Sequence, residues 1–150
     1  MKIIEQTRPL HVVGIALRTS NDEAFSTIPP HWKRFTEEGV LARIPNKASD
    51  EVIAVYTHLE HEGIDNRGMY TLIIGAPVDG LREVPAGMAS AVVPASRRAV
   101  FPVERARPDL VGPAWQHIWQ QHDLKKTFIA DYERYGADGS IDIHIGIEQG

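Results

Sequence analysis

Apolar and polar positions alternate along HVVGIALRTS (11–20), a period of two that predicts a β-strand. The next segment, STIPPHWKRFTEEG (26–39), changes to helical spacing. Ser26 or Thr27 can cap this helix, Pro29 and Pro30 suit its first turn, and Gly39 can end it. VIAVYTHL (52–59) and MYTLIIGAPV (69–78) read as strands joined by the polar EHEGIDNRG. The second half repeats this order. RRAVFPVE (97–104) is a strand, preceded by MASAVVPA as a further edge strand. DLVGPAWQHIWQQHDLK (109–125) is a helix with Asp109 as a possible cap. FIADYERY (128–135) and IDIHIGI (141–147) form a hairpin around Gly136, Ala137, Asp138 and Gly139, because Gly and Asp tolerate the positive φ of such turns.

A residue-level echo supports the repetition. PPHWKRF and GPAWQHI share a Pro-x-Trp-x-x-apolar pattern, with Pro30 and Pro113, then Trp32 and Trp115, each 83 positions apart. LIIG (72–75) similarly echoes HIG (144–146). The expectation is an α+β fold in one domain spanning residues 1–150, made of duplicated β-α-β-β units at about 10–78 and 88–147. Such units make a curved, mainly antiparallel sheet with two helices on one face, and a cleft between the repeats is a natural place for a small ligand.

Strand alternation assigns faces. Phe128, Ala130 and Tyr132 share one face and suit packing under the helices; Ile129, Asp131, Glu133 and Tyr135 share the other, which suits a groove on the helix-free side. In 52–59, Ile53, Val55 and Leu59 form the apolar set, opposite Tyr56 and His58. Trp115, Ile118, Trp119 and His122 make one helical stripe, and Trp32 with Phe35 another.

Composition narrows the function classes. A net charge of −4 and a pI near 5.9 argue against a dedicated nucleic-acid surface, and Arg97-Arg98 and Lys125-Lys126 are too short to change that. With no cysteine, thiol catalysis, cysteine–zinc sites and disulfides are excluded. Neither a signal peptide nor an apolar run of membrane-spanning length is visible, so a cytoplasmic protein without a membrane partner is expected. His58-x-x-His61 and the pair His117 and His122 have poor metal-ligand spacing, and no phosphate-loop, dinucleotide or nucleophile-elbow pattern occurs. No metal and no cofactor are expected.

Glu133 is the sharper candidate. Flanked by Tyr132 and close to Tyr135 in a mid-sheet strand, it is either solvated on an open face or partly desolvated among aromatic rings. In the second case its charge is felt strongly and attracts a cationic or hydrogen-bond-donating ligand, with cation–π help from the rings. Desolvation also raises its pKa toward the range of a general base.

The order of elements, VPASRRAVFPV (93–103) ahead of a tryptophan-bearing helix, AWQHIW (114–119), DYERY (131–135) and IDIHIGI together resemble the GyrI-like small-molecule-binding superfamily. That superfamily includes the effector-binding domains of multidrug-responsive bacterial transcription activators. Its most specific mark is Glu-x-Tyr in the penultimate strand, here Glu133-Arg134-Tyr135. The resemblance implies a duplicated fold with Glu133 in a cleft that takes aromatic, often cationic compounds. It suggests Tyr56, Tyr70, Phe101, Trp115 and Trp119 as candidate walls, although Tyr70 shares a face with the core-like Ile141. About ten residues precede the first expected strand, too few for the regulators' DNA-recognition helix, so the chain is similar to the standalone members.

Three functions follow from the resemblance. The first is binding of a small aromatic or cationic molecule, for sensing, sequestration or toxin protection. The second is hydrolysis of strained cyclopropane-type electrophiles, with Glu133 activating water and Tyr56 or Tyr70 donating to the leaving oxygen. The third is modulation of a protein partner such as DNA gyrase.

Overall fold

The computed structural model describes residues 1–80 and 83–149, leaving Leu81, Arg82 and Gly150 outside the description. Eight strands, β1 (Lys2–Gln6), β2 (Leu10–Ser20), β3 (Val52–Thr57), β4 (Met69–Pro77), β5 (Ala89–Val93), β6 (Ser96–Val103), β7 (Asp131–Tyr135) and β8 (Ile141–Ile147), form one sheet. Among the described residues, three α-helices accompany the sheet: α1 (Ala24–Glu37), the short α2 (Val40–Arg43) and α3 (Val111–Trp119).

The strand order is β1-β6-β8-β7-β3-β4-β2-β5, and every ladder is antiparallel. Its centre is palindromic. β6-β8-β7 mirrors β2-β4-β3, so the two repeats meet where β3 pairs with β7. β1 precedes β2 in the chain but pairs with β6, while β5 precedes β6 but pairs with β2. The leading strands are thus exchanged between halves. Residues 7–9 link β1 to β2 and residues 94–95 link β5 to β6. Such short links reach no more than about 3.5 Å per residue, so the opposite margins of the sheet must curl toward each other. Gln6 on β1 closes the approach by donating to the Val93 carbonyl on β5 at 3.3 Å.

This curl creates two sides with different contents. The helices cover one side with two cores: Ile15, Leu72 and Ile74 under α1 and α2, and Phe101, Ile141 and Ile143 under α3. The other side folds on itself around Val12, Ile53, Val55, Ala130 and Tyr132. Ala130 and Tyr132 therefore do not pack under the helices as strand alternation suggested. Glu133 lies on the helix side, and the groove is on that side too. A curled sheet fills its own concave interior with side chains, so it needs no helix there.

Several local expectations also change. α1 begins at Ala24, ahead of both candidate caps, and the Ser26 and Thr27 hydroxyls instead donate to the Glu23 carbonyl at 3.0 and 3.1 Å. Pro29 and Pro30 consequently sit inside the helix rather than in its first turn. Gly39, at φ 60°, ends α1 and starts α2, whose single turn has too few residues to show a period. α3 stops at Trp119, which leaves His122 outside the helix. His58 and Phe128 adopt φ of 49° and 52°, so β3 ends at Thr57 and β7 starts only at Asp131. Alternation fails across both residues. Leu59 joins the core under α1, and Ile129 is exposed.

Gly14 and Gly75 face each other across β2 and β4. A Cβ on Gly75 would lie 1.8 Å from the Val13 carbonyl oxygen, and one on Gly14 would lie 2.0 Å from that of Ile74. Backbone occupies both places, so neither clash is relieved by a rotamer change. Gly75→Ala is expected to cost about 3 kcal/mol, the upper end for overpacking, measured by urea unfolding. Wild-type stability would show that the strands do not need this approach.

Candidate functional site

β7 carries Glu133 to the seam between the repeats, where it pairs with Ala54 on one side and Ile143 on the other. Alanine opposite the carboxylate leaves room beside it. Glu133 is 2% exposed. Its Oε2 accepts from the Tyr56 hydroxyl at 2.6 Å and the Trp115 indole N–H at 2.7 Å, while Oε1 accepts from the Tyr135 hydroxyl at 2.6 Å. All three donors are neutral. Burial pushes the Glu133 carboxyl above its ordinary value, and the three hydrogen bonds pull it part of the way back. Burial next to that charge raises the phenols of Tyr56 and Tyr135 well above the usual tyrosine range and pushes Tyr70 up to about 12.

The rings around the carboxylate follow the duplication. Trp115 of the second repeat meets Tyr56 of the first edge-on, at 5.2 Å and 69°. Trp32 of the first repeat meets Tyr135 of the second at 5.1 Å and 75°. Each helix thus sends its tryptophan across the seam onto the other repeat's tyrosine. Tyr70 extends one wall, 5.5 Å from Tyr56, and its hydroxyl donates to Asn21 at 3.0 Å. Trp119, tilted against Trp115 at 6.1 Å, extends the other wall to the rim.

Between α1 and α3 these side chains line a cleft of about 960 Å³. Of the residues singled out from sequence, Glu133, Tyr56, Tyr70, Trp115 and Trp119 all border it. Phe101 does not: it is buried in the core beneath α3, on the strand beyond β8. The protons of Tyr56 and Tyr70 are directed to Glu133 and Asn21 rather than left free. Sequence reasoning missed Trp32 as a wall, although its spacing from Trp115 carried the signal. Asp131, placed from sequence on the groove face, does border the cleft, whereas Lys126 and Phe25, which border it too, were missed. Phe25 is 97% exposed at the mouth, and nothing in the helical pattern marked it.

The partly buried Asp131 and the buried Arg98 form a second charged group. Asp131 Oδ1 accepts from the Gly146 N–H at 2.7 Å and lies 3.9 Å from Arg98. The Arg98 guanidinium is 1% exposed and donates to the Gln6 side chain and to the carbonyls of Ala130 and Pro94. Among the described residues no group of three or more His, Asp or Glu side chains has metal-site geometry, and no helix is long and apolar enough to cross a membrane.

A family model for integron-associated effector binding proteins (Cass2) matches residues 3–147. The chain belongs to this family. Its fold is shared by an integron cassette protein from the mobile metagenome of Vibrio cholerae, with TM-score 0.78, 20% identity, and 98% of this chain and 95% of that one covered. The structure of SAV2435 bound to tetraphenylphosphonium is similar at TM-score 0.77 and 18% identity, covering 98% of this chain and 93% of that one. EcmrR in complex with DNA matches at TM-score 0.55 and 13% identity, covering 99% of this chain and 57% of EcmrR. No match was found among the curated proteins. Within this effector-binding family, the GyrI-like likeness expected from sequence holds for both the duplicated topology and the curved, unclosed sheet.

Proposed function

We propose that this protein binds aromatic organic cations in the cleft between α1 and α3, with Glu133 as the counter-charge. One observation carries the reading: a buried carboxylate is held only by neutral donors and ringed by aromatic side chains. Three hydrogen bonds stabilise the ionised form and fix its position, but they do not neutralise it. A bulky organic cation supplies the missing charge, and its aromatic rings replace water against Trp32, Trp115 and Tyr70. Tetraphenylphosphonium, bound by the similar SAV2435, has this chemistry.

Thermal unfolding tests the reading, because a ligand that binds only the folded state raises Tm. At a hundredfold excess over Kd, tetraphenylphosphonium is expected to raise Tm by about 5–10 °C. Triphenylphosphine oxide, a neutral compound of related shape, is expected to give a much smaller rise. No shift with the cation, or equal shifts with both compounds, would overturn the proposal.

A further inference from the structure

Lys126 borders the same cleft as Glu133 and is not used by the cation site. It lies on the link between α3 and β7, which is pinned to the end of β8 by the Lys126–Ile147 bridge and by the Thr127 N–H donating to the Gly146 carbonyl at 2.9 Å. Its ammonium donates to the Gln121 carbonyl at 2.7 Å, which occupies one of three N–H groups. Asp123 on the same link and Asp131 on β7 act on it from beyond ion-pair distance. Asp131 is itself engaged by the Gly146 N–H and Arg98. Partial burial disfavours the ammonium charge and lowers the Lys126 pKa. The cleft wall therefore carries an anion without a close cation and a cation without a close anion.

The ladder fixes their spacing. Glu133 pairs with Ile143, and Lys126 bridges Ile147, four residues further along β8. At the usual strand rise the two backbone positions are about 13 Å apart. Two linked aromatic rings with opposite charges at their ends are of that order of length, and the cleft has room for them.

We infer that the preferred ligands are amphoteric aromatic molecules, with a positive group at Glu133 and a carboxylate at Lys126. This rests on the cation reading above and adds a second subsite to it. A molecule of this kind matches both ends of the cleft, whereas a simple cation meets repulsion at the lysine end.

Isothermal titration with biphenyl-4-carboxamidine, its 4′-carboxylate analogue and tetraphenylphosphonium tests the inference. The carboxylate analogue is expected to bind the wild type about tenfold tighter than the parent amidine, the scale of one added charge-assisted hydrogen bond. Lys126→Gln should erase that advantage and slightly tighten the parent, because a repelling charge is gone. Lys126→Arg, which keeps the charge, should retain the preference. A carboxylate analogue that binds no tighter than its parent, or a Lys126→Gln loss shared equally by both amidines, overturns the inference. If tetraphenylphosphonium binds while the carboxylate adds nothing, only the second subsite fails. If neither the phosphonium nor the parent amidine binds, the cation site itself has failed.

Discussion

Glu133→Gln is expected to weaken tetraphenylphosphonium binding roughly ten- to hundredfold while leaving triphenylphosphine oxide nearly unaffected. Two unit charges about 6 Å apart attract by about 3 kcal/mol at an effective dielectric of about 20, and desolvating the cation offsets part of this. Glutamine is the informative replacement. Its amide oxygen in the Oε2 place still accepts from Tyr56 and Trp115, and only the Tyr135 proton loses its acceptor, whereas alanine would strand all three donors in a buried site. Removing a carboxyl whose ionised form burial penalises offsets the cost of the lost Tyr135 acceptor, so the glutamine variant should remain folded. Acid should mimic the substitution. The Glu133 pKa is raised, so as pH falls its charge is lost at a higher pH than that of an ordinary glutamate. The phosphonium does not titrate, so its affinity reports the protein alone. Calorimetric titration of both ligands checks these outcomes; equal losses for cation and neutral compound in the variant would remove the counter-charge role.

The sequence carried the architecture further than it carried the faces. Repeated element order and the spacing of Trp32 and Trp115 announced the duplication, because each repeat writes the same hydrophobic pattern independently. The exchange of β1 and β5 was invisible. Pairing partners are set by tertiary closure, and β1 has only Ile3 and Ile4 among polar neighbours. Placing the groove on the helix-free side assumed that a sheet has one core face and one open face. Here the curl gives the second face its own core, so both faces of β7 are buried and alternation alone cannot rank them. Phe128 misled in a different way: one residue in the left-handed region shifts every following side chain, and a phenylalanine gives no hint of it. Glu133 was legible because a carboxylate between tyrosines breaks the pattern of a strand that could have been apolar. Phe101 had the right composition for a wall, but β8 lies between its strand and the seam.

Asp131→Asn should flatten the acid side of the stability profile. Burial raises the Asp131 pKa from 3.8 to about 6, against the opposing pull of the Gly146 N–H, Arg98 and Lys126. A folded-state pKa above the unfolded one means that the native protein holds this proton more tightly than the unfolded chain. The resulting stability is fully present below about pH 4 and is lost as pH rises through about 6. A shift of that size corresponds to about 3 kcal/mol. Asparagine keeps an oxygen for the Gly146 N–H and never ionises. Measured by urea unfolding, the stability of the variant relative to the wild type should therefore rise by about 2.5 kcal/mol between pH 4 and pH 7. Parallel curves would mean that Asp131 is solvated rather than buried. Glu133 acts with the same sign, so two carboxylates on one cleft wall each oppose folding at neutral pH. Asparagine at 131 would keep the Gly146 hydrogen bond, and glutamine at 133 those from Tyr56 and Trp115, without that cost, and what they would remove is negative charge facing the cleft. Stability given up at a cavity wall is what a site selected for binding a charged ligand requires.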